Sequence, residues 1–231
     1  MWARNQQFQR LSGTWAERLG LRIWSRLQFP ALKARKEKEI VKLLGRVLKE
    51  GRSLLTPYEA FLVYSAARSV AHREGAFAEV GVYRGASAKL ICEVKGDKEL
   101  HLFDTFEGLP PNAPDVDRKI HRVGQYCCSL ESVQEYLRGY NNVRYHKGVF
   151  PESARSVEER TYAFAHFDVD LYEGTVGCLE YFYPRMVRGG ILLSHDYDWA
   201  SGVRKAFDDF FADKPERIIE QPSTQCMIFK E

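Results

Sequence analysis

The sequence predicts a doubly wound, mostly parallel α/β sheet of seven strands preceded by a basic helical extension. Three observations carry that prediction. From Thr56 onward, short apolar segments alternate with segments of helical period, the pattern of a layered α/β domain. The segments Tyr162–Phe167 and Gly190–Leu193 are almost continuously apolar, as parallel strands covered on both faces are. The first strand, Phe77-Ala78-Glu79-Val80, breaks at Gly81 and Gly85 before a helix, a turn whose glycines allow a sharp reversal and close approach of a nucleotide-like ligand. With 231 residues and 45 % hydrophobic content the chain can bury one full core, and 28 % charge makes it too polar for a membrane protein. Arg4, Arg10, Arg18, Arg22 and Arg26 interrupt the first thirty residues, leaving no signal-peptide core, so a cytoplasmic location is expected. Cys92, Cys127, Cys128, Cys178 and Cys226 are odd in number and lack metal-ligand spacing, and read as reduced thiols.

Residues 1–52 carry 13 Lys/Arg against 4 Asp/Glu, whereas the rest of the chain is net acidic, which sets a boundary between a 1–52 extension and a 53–231 domain. Helices are expected at about 2–28 and 32–50, separated by Pro30. One carries a face of Trp15, Leu19 and Ile23, the other a face of Ile40, Leu43, Leu44, Val47 and Leu48. A basic amphipathic segment with Trp2, Trp15 and Trp24 suits an anionic membrane surface or nucleic acid. The favoured reading is that these helices cap the main domain, cover a substrate, or pair two subunits as a homodimer. No nucleic-acid partner is expected, because the larger part of the chain is acidic. Thr56, Pro57 and Glu59 then start a helix to about residue 73 with a capping box. Strands are expected near 77–82, 99–104, 143–147, 162–169 and 189–195, with helices near 86–94, 130–138, 174–186 and 202–212. Residues 217–220 and 225–230 read as a closing hairpin around Pro222.

The ligand edge of such a sheet lies at the carboxyl ends of its strands, and acidic residues gather there. Asp104 ends the second strand 25 residues after Glu79, where an acid can hold ribose hydroxyls. Phe167-Asp168-Val169-Asp170-Leu171-Tyr172 and Ser194-His195-Asp196-Tyr197-Asp198 follow the fourth and fifth strands. Asp168 and Asp196 suit a hard cation such as Mg²⁺, and an imidazole at 195 suits a softer metal equally well. Taken singly, either cluster also reads as helix caps, and the glycine turn as an ordinary strand-to-helix connection.

Together these residues carry a resemblance. Glu79-x-Gly81-x-x-x-Gly85, Asp104-Thr105-Phe106-Glu107-Gly108-Leu109-Pro110, Asp168-x-Asp170-Leu171-Tyr172-Glu173-x-Thr175, Tyr183-Pro184, Gly189-Gly190 and Asp196-Tyr197 are similar to the macrocin O-methyltransferase family over about residues 55–231. The resemblance implies a class I methyltransferase fold, Rossmann-like, with S-adenosylmethionine as donor, Mg²⁺ dependence, and a sugar or other small-molecule acceptor. Carried over, Glu79, Gly81, Tyr83 and Gly85 shape the methionine and ribose end of the donor site, Asp104 holds the ribose, Thr105 and Phe106 lie beside the nucleoside, and Gly148 allows close approach. Asp168 becomes a metal ligand beside the donor, Asp170 the general base, and Asp196 completes the metal site. Where relatives carry two aspartates before the tyrosine this chain has His195-Asp196, so His195 stands as a metal ligand, a base, or a mark of metal-free methylation.

The resulting expectation is an O-methyltransferase in which the carboxylates and their cation align an acceptor hydroxyl and take up its proton. Two other classes remain: a nucleotide-binding oxidoreductase, disfavoured by the missing third glycine and the terminal hairpin, and a non-catalytic membrane-associated module acting through the basic N-terminus. The segment between Gly108 and Leu130, rich in proline and charge, is longer than most strand-to-helix connections and reads as a mobile substrate lid. His72, His101, His146 and His166 are expected to be structural.

Overall fold

The computed structural model describes residues 14–110, 117 and 122–231. The portion of the first expected helix before residue 14, and residues 111–116 and 118–121 of the expected lid, lie outside the described residues. Strands β1 (Ala76–Val80), β2 (Leu100–Asp104), β3 (Val143–Lys147), β4 (Tyr162–Phe167), β5 (Met186–Ser194), β6 (Ile219–Glu220) and β7 (Cys226–Phe229) form one sheet in the order β3-β2-β1-β4-β5-β7-β6. β1 to β5 are parallel and β7 runs antiparallel between β5 and β6, which confirms the parallel sheet closed by a hairpin. The chain winds from β1 through β2 to β3, then returns to β4 on the other side of β1. That reversal opens a crevice at the carboxyl ends of β1 and β4, where open α/β sheets bind ligands.

Helices α3 (Pro57–Ser69), α4 (Ala86–Cys92) and α5 (Leu130–Leu137) cover one face of the sheet, packing Val63, Ile91 and Val133 on Phe77, Leu102, Phe164 and Ile191. Helices α6 (Tyr172–Phe182) and α7 (Ser201–Phe211) cover the other with Leu179, Phe182, Val203 and Phe207 against Phe103, Tyr162, Phe167 and Leu192. The capping box of α3 is present in full: Thr56 accepts from the Glu59 amide, and Glu59 accepts from the Thr56 amide. Helix α6 stops at Phe182 rather than 186, because Pro184 turns the chain through a 3₁₀ segment into β5.

The N-terminal segment differs from expectation. Helix α1 (Trp15–Arg35) runs straight through Pro30, and the break falls at Lys36, whose backbone is extended. Proline removes one donor, which the helix tolerates, whereas the extended Lys36 ends it. Helix α2 (Lys38–Lys49) follows. Leu32, Ile40, Val41, Leu44 and Val47 form one cluster with Leu55, Ala60, Ala86 and Leu90, joining the two helices to α3 and α4. Trp15, Leu19, Ile23, Trp24 and Leu27 of α1 are exposed. Among the described residues no helix is long and apolar enough to cross a membrane.

Candidate active site

The glycine turn is built by the backbone of its neighbours. Gly81 has φ +81°, and a Cβ there would lie 2.0 Å from the carbonyl oxygen of Asp168, so glycine is required for β1 and β4 to meet at their ends. Gly85 also has positive φ, and its open side faces Val133 and Tyr136 of α5, so its small size serves helix packing. The Asp104 carboxylate ties the turn in place. One oxygen accepts from the amides of Val82 (2.7 Å) and Tyr83 (2.9 Å), and the other from the amide of Phe106 (2.7 Å). With three charge-assisted bonds it fixes the two loops that flank the donor end, and a carboxylate retains acceptor capacity beyond them.

At the adjacent strand ends Asp168, Asp170, His195 and Asp196 converge, and Glu59 of α3 joins them. His195 Nδ1 lies 3.1 Å from Asp196 Oδ1 and 3.5 Å from Asp168 Oδ1, and its Nε2 lies 3.6 Å from Glu59 Oε1. Asp170 and Asp196 both adopt positive φ, a left-handed backbone that is uncommon outside glycine and turns both residues into the cluster. Burial pushes the Asp168 carboxyl up to about 6, partly opposed by His195. Burial, then the charges of Asp196 and Asp168, raise Asp170 well above the carboxylate range. Burial alone would lower His195, but Asp168, Asp196 and Glu59 outweigh it and raise the imidazole well above its usual value. Burial would raise Glu59, yet the His195 charge and hydrogen bonds from His195, Thr56 and Thr224 hold it at about 2. Asp168, His195 and Asp196 can each offer one ligand atom, all within 4.8 Å of one another, so the donor set fits a single metal ion.

Both halves open into one cavity of about 1390 Å³. It is lined by Gly81, Tyr83, Asp104, Thr105 and Gly148 on one side and by Asp168, Asp170, His195 and Asp196 on the other. That volume exceeds what one drug-sized ligand fills, leaving space for a donor and an acceptor together. Glu79 and Phe106 lie behind the wall. Glu79 is fully buried with its carboxylate 2.8 Å from His166 Nδ1, its neighbour on β4. Phe106 packs in the core beneath α5. His101 and His146 pair at 3.0 Å inside the sheet. In the lid segment, Asp117 is buried and accepts from the Tyr172 amide, capping α6.

Sequence reasoning missed Trp24 and Gln28 of α1, and Trp199 and Thr224, all of which line the cavity. It read Glu59 as a helix cap and nothing more. Aromatic residues on a basic helix signalled the first group; no local signal marks Thr224.

The chain matches the family described as Macrocin-O-methyltransferase (TylF) over residues 63–227. It is 30 % identical over 138 residues to the 8-demethyl-8-(2,3-dimethoxy-alpha-L-rhamnosyl)-tetracenomycin-C 4'-O-methyltransferase of Streptomyces olivaceus, covering 53 % of each chain. It is 29 % identical over 153 residues to the demethyldecarbamoylnovobiocin O-methyltransferase of Streptomyces niveus, covering 60 % of this chain and 58 % of that one. The matches thus span a little over half the length of these curated relatives. Among solved structures, the O-methyltransferase NovP superposes with a TM-score of 0.71 at 23 % identity, over 78 % of this chain and 82 % of that one. The calicheamicin methyltransferase CalS11 gives 0.64 at 18 %, over 89 % and 91 %. Both likenesses establish the class I O-methyltransferase fold.

Proposed function

We propose, from the premise that this chain belongs to the macrocin O-methyltransferase family, that it transfers the methyl group of S-adenosylmethionine to a hydroxyl of a small molecule or glycoside. The observation that carries the reading is the shared cavity: the Asp104-clamped turn and the Asp168/Asp170/His195/Asp196 cluster face the same space. Tyr83, Thr105 and Gly148 line the donor side, and Asp104 offers its remaining acceptor capacity to ribose hydroxyls. Trp24 and Trp199 give the acceptor side flat apolar surfaces on which a sugar ring can stack. The two curated relatives act, by their names, on a rhamnosyl-tetracenomycin and a novobiocin derivative, which supports a glycosyl acceptor from a natural product or surface polysaccharide.

Asp168, His195 and Asp196 would hold a divalent cation in this reading, Mg²⁺ being the ion that the family resemblance alone implies. Such an ion supplies positive charge that acidifies a bound hydroxyl and favours the ionised carboxyls. Asp170 then takes the hydroxyl proton. It lines the cavity beside Asp168 and Asp196, and in its ionised form it would be placed to accept that proton. Alignment does the rest, because the sulfonium methyl is already activated.

Calorimetric titration with S-adenosylmethionine and with NAD(H) tests the donor. Micromolar binding of the first alone is expected; preference for the nicotinamide would return the chain to the oxidoreductase class. Asp170→Asn is expected to keep donor binding and lose at least about 100-fold in turnover on an accepted sugar, the scale of a lost general base. Near-normal turnover would reject the assignment.

A further inference from the structure

Resting on the reading that Asp168, His195 and Asp196 hold a divalent cation, we propose that His195, oriented by Glu59, makes this centre nitrogen-containing and selects a first-row transition ion such as Co²⁺ over Mg²⁺. The Nε2 side of His195 faces oxygen atoms: Thr224 Oγ1 at 3.5 Å and Glu59 Oε1 at 3.6 Å. Thr224 donates its own hydroxyl proton to Glu59 Oε1 at 2.8 Å, which leaves its lone pairs toward the ring. Both neighbours are therefore acceptors, and the ring proton belongs on Nε2. With an ion bound, Nδ1 would present its lone pair to it; without one, Nδ1 faces Asp196 Oδ1 as an ion pair at 3.1 Å.

Nδ1 is buried. It faces the Oδ1 atoms of Asp196 and Asp168 at 3.1 and 3.5 Å, so a cation bound in exchange for the Nδ1 proton would find three ligand atoms here. Glu59 is itself fixed. Its Oε2 accepts the Thr56 amide at 2.8 Å, so the first turn of α3 holds the outer carboxylate rigidly against the imidazole. A carboxylate on the side of the far nitrogen, here linked to it through the Thr224 hydroxyl, orients a metal-bound histidine and raises its basicity. Glu59 is thus a positioning residue, acting on the ion through His195.

The choice of ion follows from ligand chemistry. Mg²⁺ takes oxygen ligands and gives up water reluctantly, whereas imidazole nitrogen suits the first-row transition ions. Replacing one oxygen donor by Nδ1 therefore weakens the claim of Mg²⁺ and strengthens that of its competitors.

The test uses the full chain stripped with chelator and titrated calorimetrically with MnCl₂, CoCl₂ and MgCl₂. The visible spectrum of the Co²⁺ form reports nitrogen coordination, and no turnover is needed. Co²⁺ is expected to bind at least about 10-fold tighter than Mg²⁺, with Mn²⁺ between them. His195→Asp, which restores an all-oxygen set, should remove most of that preference and shift the Co²⁺ spectrum. Glu59→Gln keeps a residue suited to the capping box and should weaken Co²⁺ binding about 10- to 100-fold, the usual effect of losing an outer-shell partner. Equal or tighter Mg²⁺ binding by the unmodified chain would overturn the proposal. So would a preference that survives His195→Asp, or an unmodified chain that binds no ion while His195→Asp gains Mg²⁺, since the imidazole would then stand in place of the metal. Titration with S-adenosylmethionine in chelator separates the two readings: a chain that discriminates ions as stated yet ignores the donor supports the centre and defeats the methyltransferase.

Discussion

Gly81→Ala tests whether the glycine turn is set by its neighbouring strand. A Cβ at 81 would stand 2.0 Å from the Asp168 carbonyl oxygen and 2.8 Å from its carbon, against an ordinary contact of at least 3.4 Å. The carbonyl must retreat by more than 1 Å, and it belongs to a residue whose amide bonds Val80 at 2.9 Å. Forcing such a shift in a packed interior costs about 1–3 kcal/mol. The φ of +81° adds about 1–2 kcal/mol for a residue with a Cβ. The sum, about 2–5 kcal/mol, takes a large share of the 5–15 kcal/mol that typically holds a domain together. At about 2–4 °C per kcal/mol for a domain of this size, the melting midpoint should fall by roughly 4–20 °C. Because the displaced carbonyl carries Asp168 with it, ion affinity should fall in the same variant. Thermal unfolding followed by metal titration measures both. A midpoint within about 2 °C of the unmodified chain and an unchanged ion affinity would refute the reasoning and return Gly81 to the role of ligand clearance.

Two further predictions concern groups outside the cavity. Burial, then the neighbouring His146, lowers the His101 imidazole to about 4 from an ordinary 6.5. Between those values the unfolded chain binds a proton that the folded chain refuses, so stability present above pH 6.5 is lost as pH falls toward 4, by up to about 3 kcal/mol. Urea midpoints at pH 7.5 and 4.5 should therefore differ less in His101→Gln than in the unmodified chain, and equal differences would reject the assignment. The second concerns the stripe of Trp15, Leu19, Ile23 and Leu27, which is proposed to bury itself in a homodimer. Light scattering should give a dimeric mass that Ile23→Glu lowers to a monomer; a monomeric unmodified chain that binds anionic vesicles would assign the stripe to a membrane surface instead.

The sheet was legible because its strands obey simple patterns. Tyr162–Phe167 is buried at every position, and the hairpin of β6 and β7 surrounds a proline turn that cannot be helical. The meeting of the two acidic segments was legible because β4 and β5 are neighbours, so their ends bring Asp168, Asp170, His195 and Asp196 to one cavity. What escaped the sequence is contact across distance. Glu79 looked like a residue facing ligand, but β1 and β4 pair it with His166, and the two polar groups are buried together. Gly85 looked like ligand clearance, yet α5 occupies the space. Glu59 satisfied a local rule so completely that nothing prompted a search for a second partner, and Thr224 lies 165 residues away. Pro30 misled because a lone proline costs one donor, while the location of a break depends on which residues the neighbouring helices bury.

The same long-range contacts link the N-terminal helices to the chemistry. Gln28 of α1 is buried and its side-chain oxygen accepts the Tyr58 amide at 3.0 Å, bonding α1 to the first turn of α3. One residue further, Glu59 reaches Thr224 and His195. On the other flank Arg52, at the end of the basic segment, donates to the Arg84 carbonyl at 2.8 Å and to the Ser132 side chain at 3.0 Å, bracing the turn that Asp104 clamps. Trp24 adds a wall of the cavity itself. The basic extension therefore touches the glycine turn, the first turn of α3 beside Glu59 and the cavity wall at three separate points. A substitution that loosens α1 from α3 should disturb ion binding and donor binding together, whereas a detached appendage would leave both as they were.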